Sequence, residues 1–145
     1  MHPFPHVYRV SADATPAGHV TLGSPGLAII ESAGPVEFDG PGDRWSPETL
    51  LTAALVDCFV LSFRAVASAS RFEWLRLECR AEGTLDRIDR VSQFTAFRVQ
   101  ATLLVPVGAD VARAKLLLEK SEQICLISNS LKASKHLEIE VRVEG

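Results

Sequence analysis

Clustered basic residues, paired cysteines, charge-free apolar runs of membrane length and an export-type N-terminus are all missing from this chain. Lys and Arg total 15 against 18 Asp and Glu, for a net charge of -3. With no Lys/Arg cluster there is no electrostatic footprint for nucleic acid or anionic lipid. The most apolar segment, Leu50 to Val66, carries Asp57 and Arg64 and falls short of the roughly 18 apolar residues that span a bilayer, so no membrane helix is expected. The start, MHPFPHVYRV, lacks a basic stretch followed by an apolar one. The cytoplasm, a thiol-reducing setting, is therefore the expected location. There the three cysteines, Cys58, Cys79 and Cys125, are too few and too scattered for a disulfide scaffold, and no C-x-x-C pair suggests zinc. Phosphate-binding glycine loops, a nucleophile elbow and the H-E-x-x-H helix are absent too. His2, His6, His19 and His136 are weak metal ligands where they stand, so neither a cofactor nor a metal is expected.

What is present is a globular composition, 47% apolar and 23% charged over 145 residues, which fits one domain spanning residues 1–145. Between Tyr8 and Phe38, the β-prone runs YRV, HVTL and LAIIE are punctuated by glycine and proline and predict a hairpin or three-strand meander. Ser46 and Pro47 then read as an N-cap and a first helical residue, with Glu48 in the first turn. In the helix that follows, apolar residues fall on nearly every face, the pattern of a helix buried in a core. So small a domain cannot cover it alone, and a partner subunit is the natural cover.

From Leu75 the period changes to two. Leu75, Leu77, Cys79 and Ala81 alternate with charges, and the strand is expected to end at Gly83. TAFRVQATLLV places Phe97, Val99, Ala101, Leu103 and Val105 on one face of a second strand. Asp110 can cap a second helix in which Val111, Ala114, Leu118, Ser121 and Cys125 form the inner stripe. A turn at Ser128–Ser130 and a closing strand, HLEIEVRV, complete an α+β chain of largely antiparallel strands.

The cysteines are left to carry chemistry. Cys79 takes the place of a small apolar strand residue and reads as an inert core thiol. Cys58 sits mid-helix in polar company, Asp57 before it and Arg64 after it. The run SPETLLTAALVDCFVLSF resembles the first-cysteine helix of the OsmC/Ohr family of thiol peroxidases, with its S/N-P-E-x-L-x-x-A-x-x-x-C-F pattern. EQICLISNSL resembles the same family's second-cysteine segment, and the order of elements agrees from about Tyr8 to Val143.

That resemblance implies antiparallel sheets wrapped around long buried helices in an intertwined homodimer. It implies reduction of an organic hydroperoxide, with Cys58 as peroxidatic nucleophile, Cys125 as resolving cysteine, Glu48 as acidic partner and a dithiol as reductant. Glu48 lies ten residues before Cys58, roughly 15 Å along a straight helix, so it reaches the thiol only if the helix bends or a second subunit delivers it. The family's hairpin arginine has no counterpart in ATPAGHV, and Leu126 stands where proline often follows the second cysteine. Arg44, directly before the helix and able to pair with Glu48, is the expected substitute, with Arg9 second. The contrasting expectation, from a different functional class, is a non-catalytic dimer binding a small apolar or thiol-containing ligand near Trp45, Phe59 and Phe63.

Overall fold

The alternation in TAFRVQATLLV is realised as the central strand of a sheet, and that strand organises the larger part of the fold. In the computed structural model, which describes residues 1–144, the chain divides into two units, Met1–Leu50 and the portion from Leu51 onward. The N-terminal unit holds β1 (Ser11–Asp13), β2 (Val20–Gly23) and β3 (Ile30–Ser32) in an antiparallel meander of that order. A 3-10 turn follows at Val36–Phe38. The meander was legible from the glycine and proline spacing, although β1 starts just after the YRV run. At Gly40 an added Cβ would lie 1.8 Å from the Gly34 carbonyl oxygen, so the loop closes on itself only where no side chain intervenes.

The first long helix, α1 (Pro47–Ala69), starts as expected at Ser46. The Thr49 amide donates to Ser46 Oγ at 3.1 Å, and Thr49 Oγ1 accepts from the Ser46 amide at 2.8 Å, a reciprocal cap. Its other end is a left-handed turn: Arg71 has φ 51, Phe72 N–H bonds to Ala67 O at 2.9 Å and Arg71 N–H to Ser68 O at 3.1 Å, the paired bonds of a Schellman stop. With 23 residues α1 is long and apolar enough, by length and composition, to cross a bilayer, which the shorter Leu50–Val66 run did not suggest. In this fold it is a core helix. Leu55, Phe59, Phe63, Val66 and Ala67 form one buried stripe, while Leu61 is 51% exposed. Burial within the chain is thus confined to one face, rather than the all-round burial that its composition led us to expect.

In the second unit β4 (Arg76–Ile88), β5 (Val91–Val105) and β6 (Ser134–Val143) form a sheet in that order. Phe97, Val99, Ala101, Leu103 and Val105 are all buried, as their alternation predicts. They meet the α1 stripe and the inner stripe of α2 (Val111–Ile124), which is Ala114, Leu117, Leu118 and Ser121. Asp110 caps α2, accepting from the Arg113 amide at 3.0 Å. The opposite sheet face is charged, with Arg98 bonded to Glu138 at 2.5 Å and Arg142 to Glu140 at 2.9 Å.

Three expectations are corrected. β4 does not end at Gly83 but runs on to Ile88, turning through Asp89 and Arg90, both at positive φ, the two-residue geometry that matches strand twist. Gly83 lies inside the strand because its missing side chain leaves room for the stacked Phe94 and Phe97 rings, 4.9 Å apart. β6 joins β5 in parallel, reached by the crossover through α2, while the other pairings among the named strands are antiparallel. Finally, the chain after Cys125 forms a one-turn helix, α3 (Leu126–Asn129), where a plain turn was expected.

Candidate functional site

Cys58 lies three residues after Leu55 on α1, about 60° from it around the axis. It therefore flanks the buried stripe and is itself half-buried. Cys125 occupies the junction where α2 ends and α3 begins, and it has no exposed surface. Its Sγ faces the Leu55 carbonyl at 3.9 Å, which sets it against the turn of α1 that carries Cys58. The two thiols lie close enough together that Cys58 acts on the ionisation of Cys125. Thus the two cysteines singled out in the sequence, far apart along the chain, are brought together, and both are free thiols.

Burial pushes the Cys125 thiol up to about 11, and the neighbouring Cys58 and the Glu122 carboxylate push in the same direction; only the Ser128 backbone amide opposes them. A thiol held protonated in this way is a poor first nucleophile toward peroxide but a serviceable partner for an oxidised sulfur beside it. Cys79 is also raised to about 11, by burial and then by Glu78. It sits on β4 opposite Ala101, packed against the core, as an apolar strand residue would be.

Arg44 and Glu48 belong to the N-terminal unit. Arg44 is held by carboxylates there: its Nε lies 3.6 Å from Glu31 and its Nη1 3.5 Å from Asp43, while His19 approaches the same two acids at 3.7 and 3.9 Å. Arg9, the second choice, is exposed. Among the described residues no group of three or more His, Cys, Asp or Glu is placed to hold a metal.

Glu122 and Ser128 were not singled out from the sequence as site residues. Ser128 Oγ donates to Glu122 Oε1 at 2.7 Å, tying α3 back to the last turn of α2 on either side of Cys125. The only signal available was the acid three residues before the cysteine in SEQIC.

Known proteins share this architecture. The family model for OsmC-like protein matches residues 40–140, and the chain belongs to that family. It is 27% identical over 122 residues to the uncharacterized protein YmaD of Bacillus subtilis, covering 82% of this chain and 81% of that one. Among solved structures, an OsmC-like protein of unknown function from Vibrio cholerae superposes with a TM-score of 0.86 at 15% identity, covering 94% of this chain and 100% of that one. The organic hydroperoxide resistance protein OsmC from Legionella pneumophila gives a TM-score of 0.76 at 23% identity, covering 97% and 99%. At such identities these two establish the fold.

Proposed function

We propose that this chain is a thiol peroxidase that reduces organic hydroperoxides with Cys58 and Cys125 as its redox pair. The observation that carries the reading is the proximity of these two thiols where α1 meets the α2–α3 junction, Cys125 Sγ resting 3.9 Å from the carbonyl of Leu55, three residues before Cys58. The Cys58 thiolate attacks a peroxide oxygen, the O–O bond breaks, an alcohol leaves and a sulfenic acid forms on Cys58. Cys125 then displaces the hydroxyl as water and closes a Cys58–Cys125 disulfide, which an external dithiol reduces back to two thiols. The assignment of roles follows from burial. Cys58 is half-buried and reachable, whereas Cys125 is fully enclosed with its thiol raised. The name of the Legionella structure, an organic hydroperoxide resistance protein, supports the same substrate class.

The family resemblance adds Glu48 as acidic partner, and Arg44, standing in for the family's hairpin arginine that ATPAGHV lacks, is the cation that favours the Cys58 thiolate. It also adds a homodimer, for which the exposed Leu61 on α1 supplies apolar surface, and the cytoplasm is the compartment that would keep both thiols reduced. The test is a count of free thiols before and after one equivalent of cumene hydroperoxide. Loss of two thiols together supports turnover; no loss rejects it and favours a ligand-binding dimer.

A further inference from the structure

Glu122 carries a feature that the two-cysteine reading leaves unused. One carboxylate oxygen, Oε1, accepts from Ser128 Oγ at 2.7 Å. The other, Oε2, is buried and has no hydrogen-bond partner. Enclosing such an oxygen without a donor carries a desolvation penalty, so its place in this fold calls for a reason. The same residue's backbone carbonyl accepts the Cys125 amide at 3.3 Å, fixing the carboxylate one helical turn before the sulfur. The Glu122 carboxylate adds to the upward push on the Cys125 thiol.

Cys125 has a proton to lose and little to lose it to. The residue is fully enclosed, so solvent bases do not reach it, and its thiol rests on the Leu55 carbonyl at the long distance of 3.9 Å. The titratable groups acting on it are Cys58 from α1 and Glu122 from α2, while α3 contributes only the Ser128 backbone amide.

We propose that Glu122 is the proton acceptor for Cys125 during disulfide closure, its unpartnered Oε2 taking the thiol proton as the sulfur attacks. This rests on Cys125 acting as the resolving cysteine. In that step the Cys125 sulfur forms the S–S bond with the Cys58 sulfenic sulfur and the S–O bond breaks. Cys125 is oxidised and the Cys58 sulfur is reduced. The proton passes to Glu122 and from there to the departing hydroxide, so that water leaves and the carboxylate is regenerated. Ser128 is a positioning residue, holding Oε1 through its hydroxyl while Oε2 is left enclosed and unpartnered.

The test separates closure from peroxide chemistry by using an aromatic disulfide reagent, 5,5′-dithiobis(2-nitrobenzoate), on the intact chain in a Cys79→Ser background. Attack by Cys58 releases one coloured thiolate, and closure by Cys125 onto the mixed disulfide releases a second. In Glu122→Gln, whose amide oxygen can still accept from Ser128, the second phase should slow relative to the first by roughly tenfold or more at neutral pH and recover as pH rises. Ser128→Ala should slow it with the wild-type pH profile. A Glu122→Gln second phase at the wild-type rate, or one slowed equally at every pH, overturns the proposal. If Glu122→Gln does not fold, the solvent deuterium effect on the wild-type second phase decides. A normal effect fits transfer to a carboxylate, and an inverse effect, marking prior ionisation of the thiol, overturns it. Should peroxide leave the wild-type thiols intact while the second phase still depends on Glu122 as described, the peroxidase reading fails and the role of Glu122 stands.

Discussion

Unfolding this protein should change the reactivity of Cys125 more than its loss of cover alone would do. In the native chain the thiol is pushed from 9.0 to about 11, first by burial and then by its contact with Cys58. At pH 8 a thiol of 9.0 is about one-tenth thiolate and one of 11 about a thousandth, so the native side chain holds roughly a hundredfold less of the reactive form. Iodoacetamide labelling of each cysteine, read by mass spectrometry in buffer and in urea at pH 8, should therefore show Cys125 at least about a hundredfold slower in the native protein. The pH dependence separates ionisation from access. Between pH 9 and 11 the unfolded rate should level off while the native rate keeps climbing, which narrows the gap. The sign for stability follows from the same shift. The protonated thiol is favoured in the native state, so the contribution is intact below about pH 9 and is lost as pH rises toward 11. A native-to-unfolded ratio near one, or a gap that stays constant from pH 7 to 11, would refute the reasoning.

Gly83→Ala sets two effects against each other. Its backbone φ is not in the left-handed region, so alanine gains about 0.4–1 kcal/mol through the unfolded chain. The new Cβ, however, would lie 2.8 Å from Phe97 Cε1 and 2.9 Å from Phe94 Cε1 and Thr52 Oγ1, an overlap costing typically 1–3 kcal/mol. Net destabilisation in urea is expected, and an unchanged midpoint would show that the rings give way. Asp110→Ala removes the α2 cap and should cost about 1 kcal/mol, lowering Tm by roughly 2–4 °C in calorimetry. Cys58→Ser should abolish peroxide consumption, and Cys125→Ser should consume about one equivalent and stop at the sulfenic acid. Cys79→Ser should leave consumption intact, all three being followed by residual peroxide. Arg44→Ala should slow consumption at neutral pH more than at alkaline pH; equal profiles would remove Arg44 from the site and turn attention to Arg9.

Where a single local rule governs, the sequence was sufficient. Phe97 to Val105 alternate because the sheet pleat has period two, and Ser46 and Asp110 cap because helix starts leave amides unpaired. The resemblance carried by SPETLLTAALVDCFVLSF and EQICLISNSL pointed to Cys58 and Cys125, and the fold sets Cys125 against the turn of α1 that carries Cys58. Features set by long-range packing were not legible. Gly83 looks like a strand end until the Phe94 and Phe97 rings are seen to occupy the space of its side chain. The parallel pairing of β6 depends on the crossover through α2, which alternation alone does not reveal. Glu122 reads as an ordinary surface acid near a helix end, and only the enclosure of its unpartnered Oε2 and its effect on the Cys125 thiol distinguish it.

The most direct measurement is the disulfide map of the oxidised protein. Treated with one equivalent of cumene hydroperoxide, blocked with an alkylating agent and digested without reduction, the chain should yield one cross-linked peptide pair joining Cys58 to Cys125, with Cys79 recovered alkylated. Recovery of all three cysteines as alkylated thiols, or a cross-link that includes Cys79, would contradict a peroxidase built on the Cys58–Cys125 pair.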